Sequence, residues 1–298
     1  MIDLLSVPFL QRALVAAVLV GLTAPSVGIY LVQRRQALLG DGIGHVALFG
    51  VAVDLLLGTQ PVITAVIVAS LGSLLIEYVR SRGKASGDVA LSLLFYGGIA
   101  GGVMVIGLSA TGTSATLLSY LFGSLSTVSP ADLVVIAVLA TCVLAVTLLG
   151  SRLLFAVCQD EEAARVAGLP VAAANAILAI TAAVTVTVAM RVVGALLISA
   201  LMVVPVATAQ TFTHGFAATR RLALALGVLW SVAGISVSYY GDVAPGATIV
   251  VLAIGGFAIA SVASIATRRH GRDPGDLETY DDEVLLGETD FSAHGHGH

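Results

Sequence analysis

Long apolar runs separated by short polar clusters organise the chain. The runs cover residues 10–32, 37–57, 61–79, 89–110, 131–150, 171–190, 192–213, 221–240 and 246–266. Each is about 20 residues, the length at which a helix rising 1.5 Å per residue crosses a hydrocarbon core of roughly 30 Å. The breaks are "QRR" (33–35), "GTQP" (58–61), "RSRGKASGD" (80–88), "TVSPAD" (127–132), "CQDEEAARVAGLP" (158–170), "HGFAATRR" (214–221) and "GDVAPG" (241–246). Gly, Pro and charged residues of this kind mark turns. The weakest break is the single residue Arg191. A membrane β-barrel would alternate polar and apolar residues in segments of about ten, and no such alternation persists here. The pattern predicts an all-α polytopic membrane protein with about nine transmembrane helices, a membrane domain over 1–266 and a tail over 267–298.

Composition agrees. Of 298 residues, 58% are hydrophobic and only 11% charged, against roughly one quarter charged in soluble domains. Aromatics are scarce and Ala, Gly, Val and Leu abundant, a mix that lets helices pack closely. The first run has no basic flank or small-residue cleavage site and reads as a retained helix. Cys142 and Cys158 lack the paired spacing of a disulfide framework or thiolate site and read as packing residues. The net charge of −4 misleads, because eight of the eighteen acids fall in 267–298 and the rest of the chain holds eleven basic and ten acidic residues. With the N-terminus outside, twelve of the fourteen basic residues fall on the cytoplasmic side, leaving only Arg12 and Arg191 opposite. That bias predicts a multi-pass protein of the cell membrane with a cytoplasmic C-terminal tail.

Against this background the stretch "QALLGDGIGHVALFG" (36–50) stands out, because it carries Asp41 and His45 inside a predicted span. An ionisable group at mid-bilayer costs about 2.5–3.5 kcal/mol on insertion scales. The i, i+4 spacing puts the carboxylate and imidazole on one helical face, where they can share a proton or a divalent cation. The alternative is an interfacial Asp41 paired with Arg34 or Arg35 and a His45 bonded to a neighbouring carbonyl. Gly40 and Gly44 form a small-xxx-small pair beside the dyad, and Gly42 and Gly50 thin the helix further, which predicts a close-packed seam. Two ligands are too few for a complete metal site. Glu77, one turn before Arg80, reads as an ion pair. Asp54, Asp132 and Asp242 near outer span ends read as caps or as an attraction for cations, and His214 at an inner span end is a further candidate ligand. Thr185, Thr187, Ser199 and Thr208 read as satisfying helix carbonyls.

The chain lacks Gly-x4-Gly-Lys-[Ser/Thr], His-Glu-x-x-His and Gly-x-Ser-x-Gly, so it binds no ATP through a P-loop and shows no familiar hydrolase motif. Transport by such a chain draws on an ion gradient or on a second protein. In "QDEEAARVAGLPV" (159–171), Asp160, Glu161 and Glu162 favour a helix N-terminus, Gly168 suits a left-handed end and Pro170 opens the next span. The segment predicts a short cytoplasmic helix, either a simple interfacial turn or a docking helix for a soluble motor.

Five stretches in order resemble the membrane permeases of metal-ion ABC importers of the zinc and manganese type: "RRQALLGDGIGHVALFGVAV" (34–53), "LLSYLFGSLSTVSPADL" (117–133), "QDEEAARVAGLPV" (159–171), "VVGALLISALMVVPVATAQ" (192–210) and "SYYGDVAPGATIVVLA" (238–253). The resemblance implies a fold similar to vitamin B12 and siderophore importer permeases, a homodimer, a cytoplasmic ABC ATPase and an extracytoplasmic metal-binding protein. It implies no enzymatic activity in this chain, no permanently bound cofactor and no nucleic-acid partner. Zn²⁺ or Mn²⁺ is the implied substrate, with iron as an alternative, and Asp41 and His45 match the family's Asp-x-x-x-His, implied to contact metal in transit. The 159–171 segment matches the coupling helix, implying contact with the ATPase through Asp160, Glu161, Glu162, Ala163 and Gly168. The tail departs from the pattern and ends in His294, His296 and His298, a weak chelating set that leans toward zinc or is incidental to a disordered acidic tail. Two other classes compete: a stand-alone secondary transporter with Asp41 and His45 as a proton relay, and a purely structural membrane subunit.

Overall fold

The computed structural model describes residues 8–58, 60–81, 87–108, 119–124 and 129–270, and these contain no strand. The tail histidines His294, His296 and His298 lie outside the described residues. The labelled helices are α1 (Pro8–Gln33), α2 (Leu39–Leu57), α3 (Pro61–Ser81), α4 (Gly87–Leu108), α5 (Pro130–Leu149), α6 (Ser151–Gln159), α7 (Glu161–Val166), α8 (Val171–Met190), α9 (Ile198–Phe212), α10 (Phe216–Gly241) and α11 (Pro245–His270). A further helical turn spans 119–122. By its contacts the chain divides into Met1–Phe257 and Ala258–His298, and of the second unit the described part is the end of α11.

Eight of these helices are long and apolar enough to cross a membrane, and the protein is a multi-pass membrane protein. In the first unit, α1, α2 and α8 are largely buried, whereas α3, α4, α5 and α10 turn most of their apolar surface outward. That is the arrangement lipid permits, since an outward Leu or Val costs nothing in hydrocarbon. Tyr30 on α1 is fully buried, and its hydroxyl donates to the carbonyl of Thr147 on α5 at 2.8 Å. The protein thereby satisfies a polar group that lipid would leave bare.

The seventh predicted span is corrected. Instead of one helix over 192–213, α9 has only 15 residues and an irregular segment precedes it. Ala195 and Leu196 donate their N–H groups to the carbonyls of Tyr120 and Leu121, at 2.9 and 3.2 Å. Gly194 makes this crossing possible: its φ is +95°, and a Cβ there would sit 2.3 Å from the Leu121 carbonyl oxygen. Non-helical backbone is tolerated in a spanning protein only where it is enclosed, and Val193 and Ala195 are buried.

The start of this segment is held by charge. Arg191 donates to Asp132 at 3.2 Å and lies 5.3 Å from the centre of the Tyr120 ring. Asp132 also closes the capping box of α5, where the Ser129 hydroxyl accepts from Asp132 N–H at 3.1 Å and Asp132 accepts from Ser129 N–H at 3.1 Å.

At the opposite end the chain forms two short helices where sequence reading anticipated one. The additional helix, α6, buries Leu154, Val157 and Cys158 and exposes Arg152. The anticipated α7 begins at its N-cap Asp160, whose carboxylate accepts from Ala163 N–H at 2.9 Å, and the chain then turns at Gly168 with φ +76°.

Candidate functional site

Asp41 and His45 lie in the first two turns of α2, on the face their spacing predicts. Asp41 is half-buried and lines a cavity of about 190 Å³ with Leu38, Leu91, Ser92, Phe95 and Tyr96. His45 is only 5% exposed. Its ring meets the Phe95 ring nearly at right angles, with centroids 4.4 Å apart. The Nδ1 atom of His45 is buried with no hydrogen-bond partner. A neighbouring carbonyl for that nitrogen, one of the alternatives the sequence left open, is therefore not found.

The glycines that flank the dyad do what their spacing suggested. A Cβ on Gly44 would lie 2.9 Å from the Ala195 carbonyl oxygen, and one on Gly40 would lie 2.6 Å from the Ser199 hydroxyl. One side of α2 is therefore pressed against the irregular segment and the start of α9. On the other side α4 approaches just as closely, because a Cβ on Gly98 would lie 2.8 Å from the His45 carbonyl carbon. Both helices clamp α2 at the level of His45.

The remaining candidates go elsewhere. Glu77 pairs with Arg80 at 2.7 Å, as its spacing predicts. Asp54 is buried, with the Thr64 hydroxyl donating to it at 3.5 Å, and Asp242 is the exposed left-handed cap of α10. His214 is exposed and lines a separate cavity with Gln33, Gln210 and Thr219. Thr185, Thr187 and Thr208 bond carbonyls of their own helices at 2.8 Å each. Ser199 departs from that expectation, since its buried hydroxyl has no partner. Among the described residues no three His, Cys, Asp or Glu side chains come together.

The second feature is α7, which has two faces. Outward lie Glu162, Ala163, Val166 and Gly168, with Val166 90% exposed. The sequence signals Val166 only as an apolar residue on the charged side of a short helix. Inward lie Ala164 and Glu161. The Glu161 carboxylate accepts from Arg34 at 3.1 Å, Arg80 at 3.3 Å, Arg165 at 3.3 Å and Asn175 at 3.4 Å. Arg34, Arg80 and Arg165, which the charge pattern assigned to one side of the membrane, therefore meet at one carboxylate.

Comparison with known proteins identifies the family of the chain. The chain is 35% identical over 258 residues to the manganese transport system membrane protein MntC of Halalkalibacterium halodurans, covering 87% of this chain and 88% of that protein. It is 28% identical over 239 residues to the high-affinity zinc uptake system membrane protein ZnuB of Haemophilus influenzae, covering 80% and 91%. Its fold matches PsaBC from Streptococcus pneumoniae, solved in complex with a Fab, with a TM-score of 0.79 and 30% identity over 87% of this chain and 93% of that one. The profile of the ABC 3 transport family matches residues 6–264, and the chain belongs to that family.

Proposed function

We propose that this chain is the permease subunit of an ATP-driven importer of a divalent transition metal, with Asp41 and His45 contacting the ion in transit. The observation that carries the reading is the unpartnered Nδ1 of His45, buried at the level where α2 is clamped and one turn from a carboxylate that lines a cavity. A buried polar atom without a partner costs about 1–3 kcal/mol. A passing cation supplies the missing partner, and the carboxylate replaces part of its lost hydration. Two ligands from each of two protomers would give four, enough to compensate desolvation without holding the ion so tightly that it cannot leave.

The tail histidines favour zinc. The relative named for manganese is more similar than the one named for zinc, which supports Mn²⁺ at least as well as Zn²⁺. One oxygen and one nitrogen donor suit both. The chain carries no P-loop, so the energy comes from a separate ATPase that docks on the outward face of α7, through Asp160, Glu162, Ala163, Val166 and Gly168.

The test is uptake of Mn²⁺ and Zn²⁺ into liposomes holding the permease with its ATPase and supplied with its metal-binding protein. Asp41→Asn and His45→Ala should each cut ATP-dependent uptake at least tenfold while the complex still assembles. Uptake at the unmodified rate by both variants would remove these residues from the path. Uptake driven by a pH gradient with no ATPase present would replace the reading with a secondary transporter.

A further inference from the structure

The inward face of α7 carries a function of its own. We propose that Glu161 is a positioning residue that links α7 to the corner between α1 and α2, so that movement of α7 is passed to Asp41 and His45. The proposal rests on the reading of α7 as the ATPase-docking helix, and it assigns Glu161 a role distinct from contact with the ATPase.

Four donors from four parts of the fold converge on this one side chain. Arg34 comes from the corner after α1, Arg80 from α3, Arg165 from α7 itself and Asn175 from α8. The Arg34 side chain is 8% exposed and that of Glu161 28%, so their pairing is partly shielded from water. Arg80 is fixed independently, because Glu77 holds it through two hydrogen bonds of 2.7 and 2.9 Å. Gln33 at the end of α1 also bonds Gln159, the residue before the α7 cap. The corner is thereby tied to α6 and α7 on both sides of Asp160.

The chain between Arg34 and the ligands has little slack. Arg34, Arg35 and Gln36 donate their N–H groups back to the carbonyls of Tyr30, Val32 and Leu31, at 3.1, 3.0 and 2.8 Å. Arg35 turns the chain with φ +57°. Leu39 N–H then bonds the Gln36 carbonyl at 3.0 Å, and the N–H of Asp41 itself bonds the Leu38 carbonyl at 3.2 Å. Hydrogen bonds thus run from the residue that Glu161 grips to the first ligand of the pair. A displacement of Arg34 moves the base of α2 instead of being absorbed by a flexible loop.

The faces of α7 divide the work. Glu162, Ala163 and Val166 point away from the permease, and Glu161 points into it. In a six-residue helix the two sets move together. A push on the outer face therefore reaches Glu161 with no intervening joint.

The experiment uses the permease reconstituted with its ATPase and metal-binding protein, and reads Mn²⁺ or Zn²⁺ imported per ATP hydrolysed. Glu161→Gln keeps the size of the side chain and removes its charge. It should leave the complex assembled and ATP hydrolysis within about twofold of the unmodified protein, while ions imported per ATP fall about tenfold, the scale of coupling carried by contacting charged pairs. Arg34→Gln should do the same, and the double variant should lose no more than either alone. A purely structural role would lower thermal stability and assembly without changing the ratio in the complexes that remain. An unchanged ratio in Glu161→Gln overturns the proposal, as does loss of the ATPase from the complex, which would make Glu161 part of the docking surface. If Glu161→Gln fails to fold, Arg34→Lys keeps the charge but removes the planar fork, and it should lower the ratio about threefold; an unchanged ratio overturns the proposal. An unmodified complex that imports neither ion defeats the functional reading and this proposal together, whereas a working complex with an indifferent Glu161→Gln defeats this proposal alone.

Discussion

Replacing Gly98 with Ala adds a single methyl group to α4, at the point where α4 rests on the backbone of α2. The new Cβ would lie 2.8 Å from the His45 carbonyl carbon, 2.8 Å from Val46 N and 3.0 Å from the His45 carbonyl oxygen. Ordinary contact begins at 3.4 Å, so α4 must retreat by about 0.6 Å. No rotamer change relieves the clash, because all three neighbours are backbone atoms. Overpacking of this kind costs about 1–3 kcal/mol. The retreat also carries away Phe95, one turn earlier on α4, whose ring covers His45. Gly97 supplies the control, since a Cβ there meets nothing within 4 Å and Ala in a helix interior is favoured over Gly by about 0.5–1 kcal/mol. In detergent, Gly98→Ala should lower the thermal midpoint by about 3–10 °C and cut metal uptake several-fold, while Gly97→Ala should match or exceed the unmodified protein in both. Equal midpoints and equal uptake for the two variants would refute the idea that α4 presses on α2 at His45.

Two further predictions concern the ends of the molecule. Arg191→Leu leaves Asp132 without its counter-ion, bonded among the described residues only to Ser129; because the two side chains retain 11% and 20% exposure, the cost should be about 2–3 kcal/mol, below the 3–5 kcal/mol of a fully buried pair. Faster protease cleavage of Arg191→Leu than of Arg152→Leu, in liposomes accessible from both faces, is the expected sign, and equal rates would count against the Arg191–Asp132 pair holding the segment. At the other end, burial pushes the Cys158 thiol up to about 11, since desolvation disfavours the thiolate. The reactive form is therefore scarce below that pH and grows about tenfold per unit as pH rises toward it. In a Cys142→Ala background, iodoacetamide at pH 8 should modify Cys158 about two hundred times more slowly than a free thiol of ordinary pKa near 8.5; a rate within tenfold of the free thiol would contradict the burial.

The sequence made most of the spans legible because a membrane leaves few choices. A run of about 20 apolar residues has to be a helix where no water is present to satisfy its backbone. The same rule explains the failure at 192–197, where protein encloses the chain and the backbone can bond Tyr120 and Leu121 instead of its own helix. Val192, Val193 and Ala195 look identical in either conformation, and Gly194 was the one local cue. The small amphipathic helix α6 went unseen because residues 151–157 carry a single charge, Arg152, and its apolar side reads as the tail of the preceding span.

The candidate site was legible to the extent that it is local. Spacing alone put Asp41 and His45 on one face, and Gly40 and Gly44 foretold a close-packed seam, whose other side is formed by Ala195 and Ser199. What spacing cannot encode is the difference between two neighbours on that face. His45 is enclosed and Asp41 lines a cavity, and that difference is set by where Phe95 and Gly98 arrive from a helix some fifty residues away in sequence. Glu161 shows the same boundary between local and tertiary information. Asp160, Glu161 and Glu162 are three consecutive acids at a helix start, and for the helix dipole they are equivalent. Their roles diverge because consecutive helical positions are turned by about 100°. One caps the helix, one turns to Arg34 and Arg80, and one faces outward. Which acid receives which role depends on the angle at which α6 delivers the chain into α7, and so on the burial of Leu154 and Val157. Helix α7 is therefore a local motif whose inward connection is a tertiary product, and Glu161 can be told from Glu162 only once α6 is in place.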